Sequence, residues 1–271
     1  MKVLDLFSGI GGFSLGLERA GMETVAFCEF DKHAQKVLKK HWPDIPIHED
    51  VRTLDGTQYR GSVDVVCGGY PCQPFSVAGK RAGEEDDRHL WPEMLRIIKE
   101  AKPSWVIAEN VTGHINMGLD QVLSDLETEG YDSGTFVIPA CSLNAHHRRD
   151  RLWIVGYSDS PGRGKGDEEM ERETSEQPDS FRLQSKQVDT DSSSIKLQRF
   201  SKESFPRVSD LQSKLERSGE TIRIMPNSLE PGVLGITNGF PGRVDRIKRL
   251  GNAVVPQIPE VIGRAIMEIE S

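Results

Sequence analysis

Along the first 156 residues, short apolar runs alternate with stretches in which apolar positions recur every three or four residues. The runs 2–7, 24–28, 63–67, 105–108 and 152–156 predict buried strands, and 45–51 and 134–139 are weaker strand patterns. The periodic stretches 13–20, 32–41, 90–101 and 121–129 predict helices, as does 259–269 near the end. Gly21, Pro43 and Gly130 stand where three of these helices should stop. Alternation of this kind predicts an open α/β sheet, in which ligands bind beyond the C-terminal ends of the strands.

The pattern fails at Tyr157. Residues 157–220 are rich in Ser, Gln, Glu, Lys and Arg with few large apolar groups, which predicts a loosely ordered insertion. From 221 to 256 the balance turns basic, with Arg223, Arg243, Arg246, Lys248 and Arg249 against Glu230 and Asp245, and glycines between them. The whole chain carries a net charge of -8, which alone argues against nucleic-acid binding. The basic stretch therefore matters more than the total. Its 271 residues suffice for one large α/β domain, or a domain plus a small lobe. A mean hydropathy of -0.47 and no apolar run of spanning length predict a soluble protein. The apolar stretch before Asp5 is too short for a signal peptide. Cys28, Cys67, Cys72 and Cys141 form no CxxC pair and no Cys/His cluster, so no metal site is expected and the thiols should be reduced. Three of them sit in or beside apolar runs and read as buried.

Cys72 differs. It follows the 63–67 strand on Gly68-Gly69-Tyr70-Pro71, a turn stiffened by Pro71 and Pro74, at the ligand edge of the sheet. A thiol there is placed for chemistry rather than for packing. Residues 77–88 come next and are polar, glycine-bearing and aperiodic. They read as a lid over substrate or as an ordinary solvated connection. The first strand runs into Ser8-Gly9-Ile10-Gly11-Gly12 and a helix, the opening of a nucleotide-binding unit, although the spacing is not GxGxxG. Glu29 lies where an acidic residue suits a ribose diol, but Glu29 or Asp31 can equally cap the following helix. Asp50 can accept from an adenine amino group or cap the turn after it. Glu109 ends the 105–108 strand, and alternation puts Arg149 and Arg151 on one strand face with Trp153. Taken singly, Glu109 reads equally as a helix cap and the arginines as surface charge.

In order along the chain, Asp5-Leu6-Phe7-Ser8-Gly9-Ile10-Gly11-Gly12, Pro71-Cys72-Gln73, Glu109-Asn110-Val111, Arg149-Asp150-Arg151 and Gly251-Asn252-Ala253-Val254-Val255-Pro256 resemble the motifs of the DNA cytosine-5 methyltransferases. The resemblance covers residues 1–156 and 240–271. It implies a Rossmann-like S-adenosylmethionine-dependent methyltransferase fold with a small, partly irregular target-recognition region. The catalytic, cofactor-binding domain would be 1–156 plus 248–271. The recognition region would be 157–247, with the reading of DNA falling to 221–249. Phe7, Gly9 and Gly11 would lie against S-adenosylmethionine, with Glu29 on its ribose and Asp50 and Val51 flanking its adenine. Phe30, Gly69, Pro71 and Leu90 would complete the cofactor site, closed by Asn252 and Ala253. The family often has Ser at the position of Ala253, which puts one hydroxyl contact in question. Cys72 matches the nucleophile, Glu109 the carboxyl that engages the cytosine ring, and Arg149 and Arg151 a supporting pair. Ser76, Lys80, Arg81 and Arg88 would face DNA from the loop, and Arg243 and Arg246 from the recognition region. The implied reaction is methyl transfer to carbon 5 of a cytosine flipped out of duplex DNA. The implied setting is a monomer in a bacterial cytoplasm, host- or phage-encoded, without metal or membrane. A cognate restriction endonuclease would act separately.

Three rival readings are weaker. A tRNA cytosine-5 methyltransferase usually carries a Cys-Phe-Thr element, which is absent. A catalytically idle DNA-binding relative would not need Cys72, Glu109 and Asn252 intact. A dinucleotide-dependent oxidoreductase would leave Pro71-Cys72-Gln73 unexplained.

Overall fold

The computed structural model describes residues 1–71, 90–143, 149–159, 211, 214 and 253–271. Its first strand, β1 (Lys2–Leu6), is buried over all but its first residue and lies inside a seven-stranded sheet, third from one edge. The others are β2 (Glu23–Cys28), β3 (Ile47–His48), β4 (Val65–Gly68), β5 (Trp105–Val111), β6 (Asp132–Pro139) and β7 (Asp150–Tyr157). The order across the sheet is β3-β2-β1-β4-β5-β7-β6. From β3 to β5 every pairing is parallel, whereas β7 runs antiparallel to both β5 and β6. The chain thus winds outward from β1 to β3, returns, and winds the other way from β4. The reversal lies between β1 and β4, where an open sheet of this kind leaves a crevice at its C-terminal edge.

Period-two alternation sends side chains to two faces. On one face Val3, Val65, Trp105, Ile107, Trp153 and Val155 pack with α1 (Gly12–Arg19) and α5 (Gln257–Glu270). On the other, Leu4, Leu6, Val66, Val106, Leu152 and Ile154 pack with α3 (Trp91–Ala101) and α4 (Leu119–Thr128). A further helix, α2 (Lys32–His41), follows β2 and is capped by Asp31, which accepts from the N–H groups of His33 and Ala34. On the first face, α1 approaches the start of α5 closely. A Cβ on Gly16 would come within 2.2 Å of the Pro256 carbonyl oxygen, so only glycine fits there.

The elements agree with the sequence pattern, and the boundaries differ at two informative places. The 45–51 strand shrinks to Ile47–His48, because the Asp50 carboxylate accepts from Arg52 N–H and turns the chain into a 3-10 helix, Val51–Thr53. The last strand begins at Asp150 rather than 152, so Arg151 joins the ladder opposite Val111 and Ile138. Within 157–220 two residues beyond Asp159 are described. Leu211 is fully buried in the cluster under α5, and Lys214 pairs with Glu268 at 2.7 Å. That span therefore contributes at least one core side chain. Among the described residues no helix is long and apolar enough to cross a membrane.

Candidate active site

The turn after β1 is built by left-handed residues. Phe7, Gly9 and Gly11 have φ of 53°, 55° and 87°. Ser8 ties the turn to the sheet: its N–H donates to the Cys28 carbonyl at 3.1 Å and its hydroxyl to the Asp5 carbonyl at 2.6 Å. Below it, the Ser14 hydroxyl donates to Asp5 Oδ2 at 2.7 Å. Asp5 Oδ1 has no hydrogen-bond partner among the described residues. Burial pushes this carboxyl up to about 7.

Glu29, at the end of β2, faces the same turn. One carboxylate oxygen accepts from Gly9 N–H at 2.7 Å and the other from Asp31 N–H at 2.6 Å. Burial nonetheless holds its pKa above the ordinary glutamate value. Glu29 therefore braces the glycine turn, and Asp31 rather than Glu29 caps α2.

A cavity of about 540 Å³ opens over these turns. Phe7, Gly9, Glu29, Phe30, Asp50 and Val51 line one side of it, and Gly69, Pro71, Leu90, Glu109 and Ala253 line it too. Gly11 does not line it. A Cβ there would meet the Trp42 ring at 2.6 Å, so this glycine serves close packing and a left-handed backbone. The Asp50 carboxylate lines the cavity but is engaged by the Arg52 guanidinium, whose hydrogen bond holds its pKa low. Ser8, Ile10, Gly12, Phe13, Cys28, Ala34, Arg52 and Val254 also contribute to the lining; Ser8, Ile10, Gly12 and Val254 belong to motifs quoted from the sequence, but none of the eight is read there as a cofactor contact. Ser8 to Phe13 could have been found from the turn itself. Ala34 and Arg52 carry no sequence signal, since they arrive by the entry angle of α2 and the Asp50 turn.

Glu109 is on the face of β5 shared with Trp105 and Ile107. Its register partner in β7 is Trp153, and Val111 faces Arg151. Glu109 and Arg151 are thus diagonal neighbours on one face. Arg151 Nε reaches Glu109 Oε1 at 2.9 Å. Burial raises the Glu109 pKa, outweighing the pull of Arg151 and Arg149. Burial lowers the Arg149 pKa, and the charge of Arg151 adds to this. Arg149 precedes the strand with φ of 38°, so it departs from the alternation expected of it. Non-glycine residues in this region are uncommon and cost about 1–3 kcal/mol each. Of the three described, Phe7 and Arg149 both stand at this site, and Lys102 ends α3.

Burial pushes the Cys28 thiol up to about 12 and Cys67 well above an ordinary thiol, so neither supplies a thiolate near neutrality. Cys72, Ser76, Lys80, Arg81, Arg88, Arg243, Arg246 and Asn252 lie outside the described residues, as do the proposed lid at 77–88 and most of 157–247. Among the described residues no group of three or more His, Cys, Asp or Glu side chains could hold a metal ion.

Comparison with known proteins decides the family. The model of the C-5 cytosine-specific DNA methylases matches residues 1–229. The chain belongs to that family. Among its relatives, the type II methyltransferase M.Eco47II of Escherichia coli is 42% identical over 56% of this chain and 38% of its own. The type II methyltransferase M.PspPI of a Psychrobacter species is 42% identical over 57% of this chain and 39% of its own. The chain thus spans well under half the length of these curated methylases. A solved structure titled a putative DNA modification methyltransferase from an Escherichia coli prophage matches 100% of this chain and 99% of its own at a TM-score of 0.60 and 19% identity. That likeness supports the Rossmann-like methyltransferase fold that the resemblance implies.

Proposed function

We propose that this methylase transfers a methyl group to carbon 5 of cytosine in duplex DNA, with S-adenosylmethionine as donor. One observation carries the reading. Glu109, backed by Arg151, shares a single cavity with the Glu29-braced glycine turn, and Pro71, the residue before Cys72, lines the same cavity.

The residues present fit the donor. The turn at the start of α1 offers N–H groups to a carboxylate, Glu29 faces the turn where hydroxyls would lie, and Phe30 keeps 71% of its surface exposed beside the cavity for stacking on a base. When bound, this cofactor supplies an electrophilic methyl on a sulfonium. The chain supplies the rest. Cys72 as thiolate adds to carbon 6 of the ring, forming a C–S bond and shifting electron density to carbon 5. Glu109 holds or shares a proton at N3, which stabilises that adduct. A raised pKa suits this task, because the carboxyl keeps its proton closer to neutrality. Arg151 fixes the Glu109 carboxyl and can hold the base's O2. After carbon 5 is methylated, a base takes its proton and the C–S electrons return to sulfur. The ring must leave the duplex stack for any of this.

The relatives' description as type II methyltransferases supports a duplex DNA target and a separately acting endonuclease. The test is incubation with labelled S-adenosylmethionine and either duplex DNA or tRNA, together with a trap on 5-fluorocytosine DNA. We expect label in DNA and a covalent complex that Cys72→Ser abolishes. Label in tRNA alone, or full turnover by Cys72→Ser, would overturn the reading.

A further inference from the structure

Directly behind the cavity, Tyr70 and His114 form a buried polar pair that packing alone does not require. Tyr70 is 2% exposed and His114 3%. The tyrosine hydroxyl lies 2.9 Å from His114 Nε2. Burying these polar atoms costs free energy that a Phe–Leu pair of similar volume would avoid. What the pair adds is direction and distance, because a hydrogen bond fixes both.

The elements it joins are the two that carry the chemistry proposed above. Tyr70 follows β4 and precedes Pro71, which lines the cavity. His114 belongs to the 3-10 helix Thr112–Asn116 that continues from β5, the strand of Glu109. A second link runs in parallel. Asn110 Nδ2 donates to the Tyr70 carbonyl at 3.2 Å, while Asn110 Oδ1 accepts from Val111 N–H at 2.8 Å. The pair is itself clamped. The Tyr70 ring packs on Trp91 at 5.1 Å, and Trp91 Nε1 donates to Asp125 of α4 at 2.8 Å. A Cβ on Gly118 would come within 2.7 Å of the His114 ring, so the imidazole packs in space that only a glycine leaves open at the start of α4. The two turns also meet face to face, since a Cβ on Gly69 would lie 3.0 Å from Glu109 Oε2.

We propose that Tyr70 and His114 are a positioning pair that sets the spacing between Pro71 and the Glu109 carboxyl. The inference rests on the methyl-transfer reading. Neither residue touches the reacting atoms. Small errors of placement at such a site are costly: about 1 Å can lower a rate by about a hundredfold.

The test compares Tyr70→Phe, His114→Leu and the double variant of the full chain. Single-turnover methyl transfer, cofactor affinity and Tm are measured on each. Each single change breaks the Tyr70–His114 bond, so Tm should fall. In the double variant the two losses should not add, because they break the same bond, so Tm should fall by less than their sum. The rate should stay about ten- to a hundredfold low in the double variant, with cofactor affinity within about twofold of the parent. A double variant as fast as the parent, or rates that simply follow Tm, would overturn the pair's role. So would a His114→Gln variant that keeps a hydrogen-bonding side chain and full Tm yet loses as much rate as His114→Leu. A parent chain that transfers no methyl to DNA would instead overturn the proposed function, and this inference with it.

Discussion

Two glutamates line the same cavity and are held in opposite ways. Glu29 is bound by main chain, through the N–H groups of Gly9 and Asp31. Glu109 is bound by a side-chain charge, Arg151, delivered by the antiparallel strand β7. Both have raised pKa values for the same first reason, burial, but only Glu109 is countered by nearby arginines. The difference separates two tasks. A carboxylate braced by backbone cannot move without unmaking a turn, which suits holding a ligand still. A carboxyl balanced between burial and two guanidinium groups can change its protonation with little movement, which suits proton sharing in a reaction.

The same isosteric substitution at the two sites should therefore act differently. The largest effect is expected at Glu109. Glu109→Gln keeps the shape and removes the titratable group, and should lower kcat about 10²- to 10⁴-fold. Cofactor affinity should stay within about twofold, since the proposed function puts Glu109 on the base side. Single-turnover methylation and cofactor titration measure both. A large loss of cofactor affinity with kcat preserved would dissolve the distinction between the two glutamates. The parent should also lose rate as pH rises past the elevated Glu109 pKa, and the variant should lack that limb.

How much of this contrast could be read from residues alone differs between the two sides. The cofactor side is local. Strand, glycine turn, helix and an acidic residue after the next strand lie within the first 29 residues, so pattern and spacing expose it. Even there, what the glycines do was not legible. Gly9 lines the cavity, while Gly11 makes room for Trp42, and only the packed position of Trp42 tells them apart. The sequence leaves Asp50 between two roles, and its Arg52 partner lies two residues away in a turn that breaks the strand pattern. The base side is non-local. Arg151 meets Glu109 because β7 inserts between β5 and β6, and a hydrophobic run does not reveal its neighbours or its direction. Family resemblance supplies the two arginines as a supporting pair, and the structure shows that Arg151 is the one that meets Glu109. The Tyr70–His114 pair was missed for the same reason, since 44 residues separate its members.

A second experiment probes what lies under the cofactor side. The Asp5 carboxyl is fully buried, bonded by Ser14, and pushed up to about 7 from 3.8 by burial. In the folded chain it keeps its proton to about 7, whereas unfolded it releases it near 3.8. The folded state therefore binds more protons within that window, and stability falls as pH rises through it. The loss should reach a few kcal/mol, up to about 4, and level off above about pH 7. Asn at this position cannot ionise. Denaturant midpoints of parent and Asp5→Asn, measured from pH 4 to 8, should show the parent's advantage shrinking as pH rises. A difference that stays flat across the window would mean that Asp5 ionises freely in the fold. The glycine turn would then rest on a charged rather than a neutral carboxyl.

The smallest effect is expected at Glu29, and it is the one that most sharpens the contrast. Glu29→Gln retains one acceptor oxygen and replaces the other with an NH2 that faces a backbone donor. Gly9 N–H and Asp31 N–H cannot both find an acceptor on the amide; the Asp31 donor is exposed and the Gly9 donor part-buried, so the cost lies at or below the low end of the ~1–3 kcal/mol of a buried unpaired donor. That cost falls on the turn, not on the reacting ring. The expected result is weaker cofactor binding, by about tenfold for each 1.4 kcal/mol lost, with kcat at saturating cofactor close to the parent. Isothermal titration with the cofactor and steady-state kinetics at saturation separate the two quantities. If kcat at saturation falls as far as it does in Glu109→Gln, bracing the turn and sharing the proton are not separate tasks, and the cavity works as one coupled unit. If only affinity falls, the backbone-held carboxylate is a fixture for the ligand, and the arginine-balanced one is the group that takes part in the chemistry.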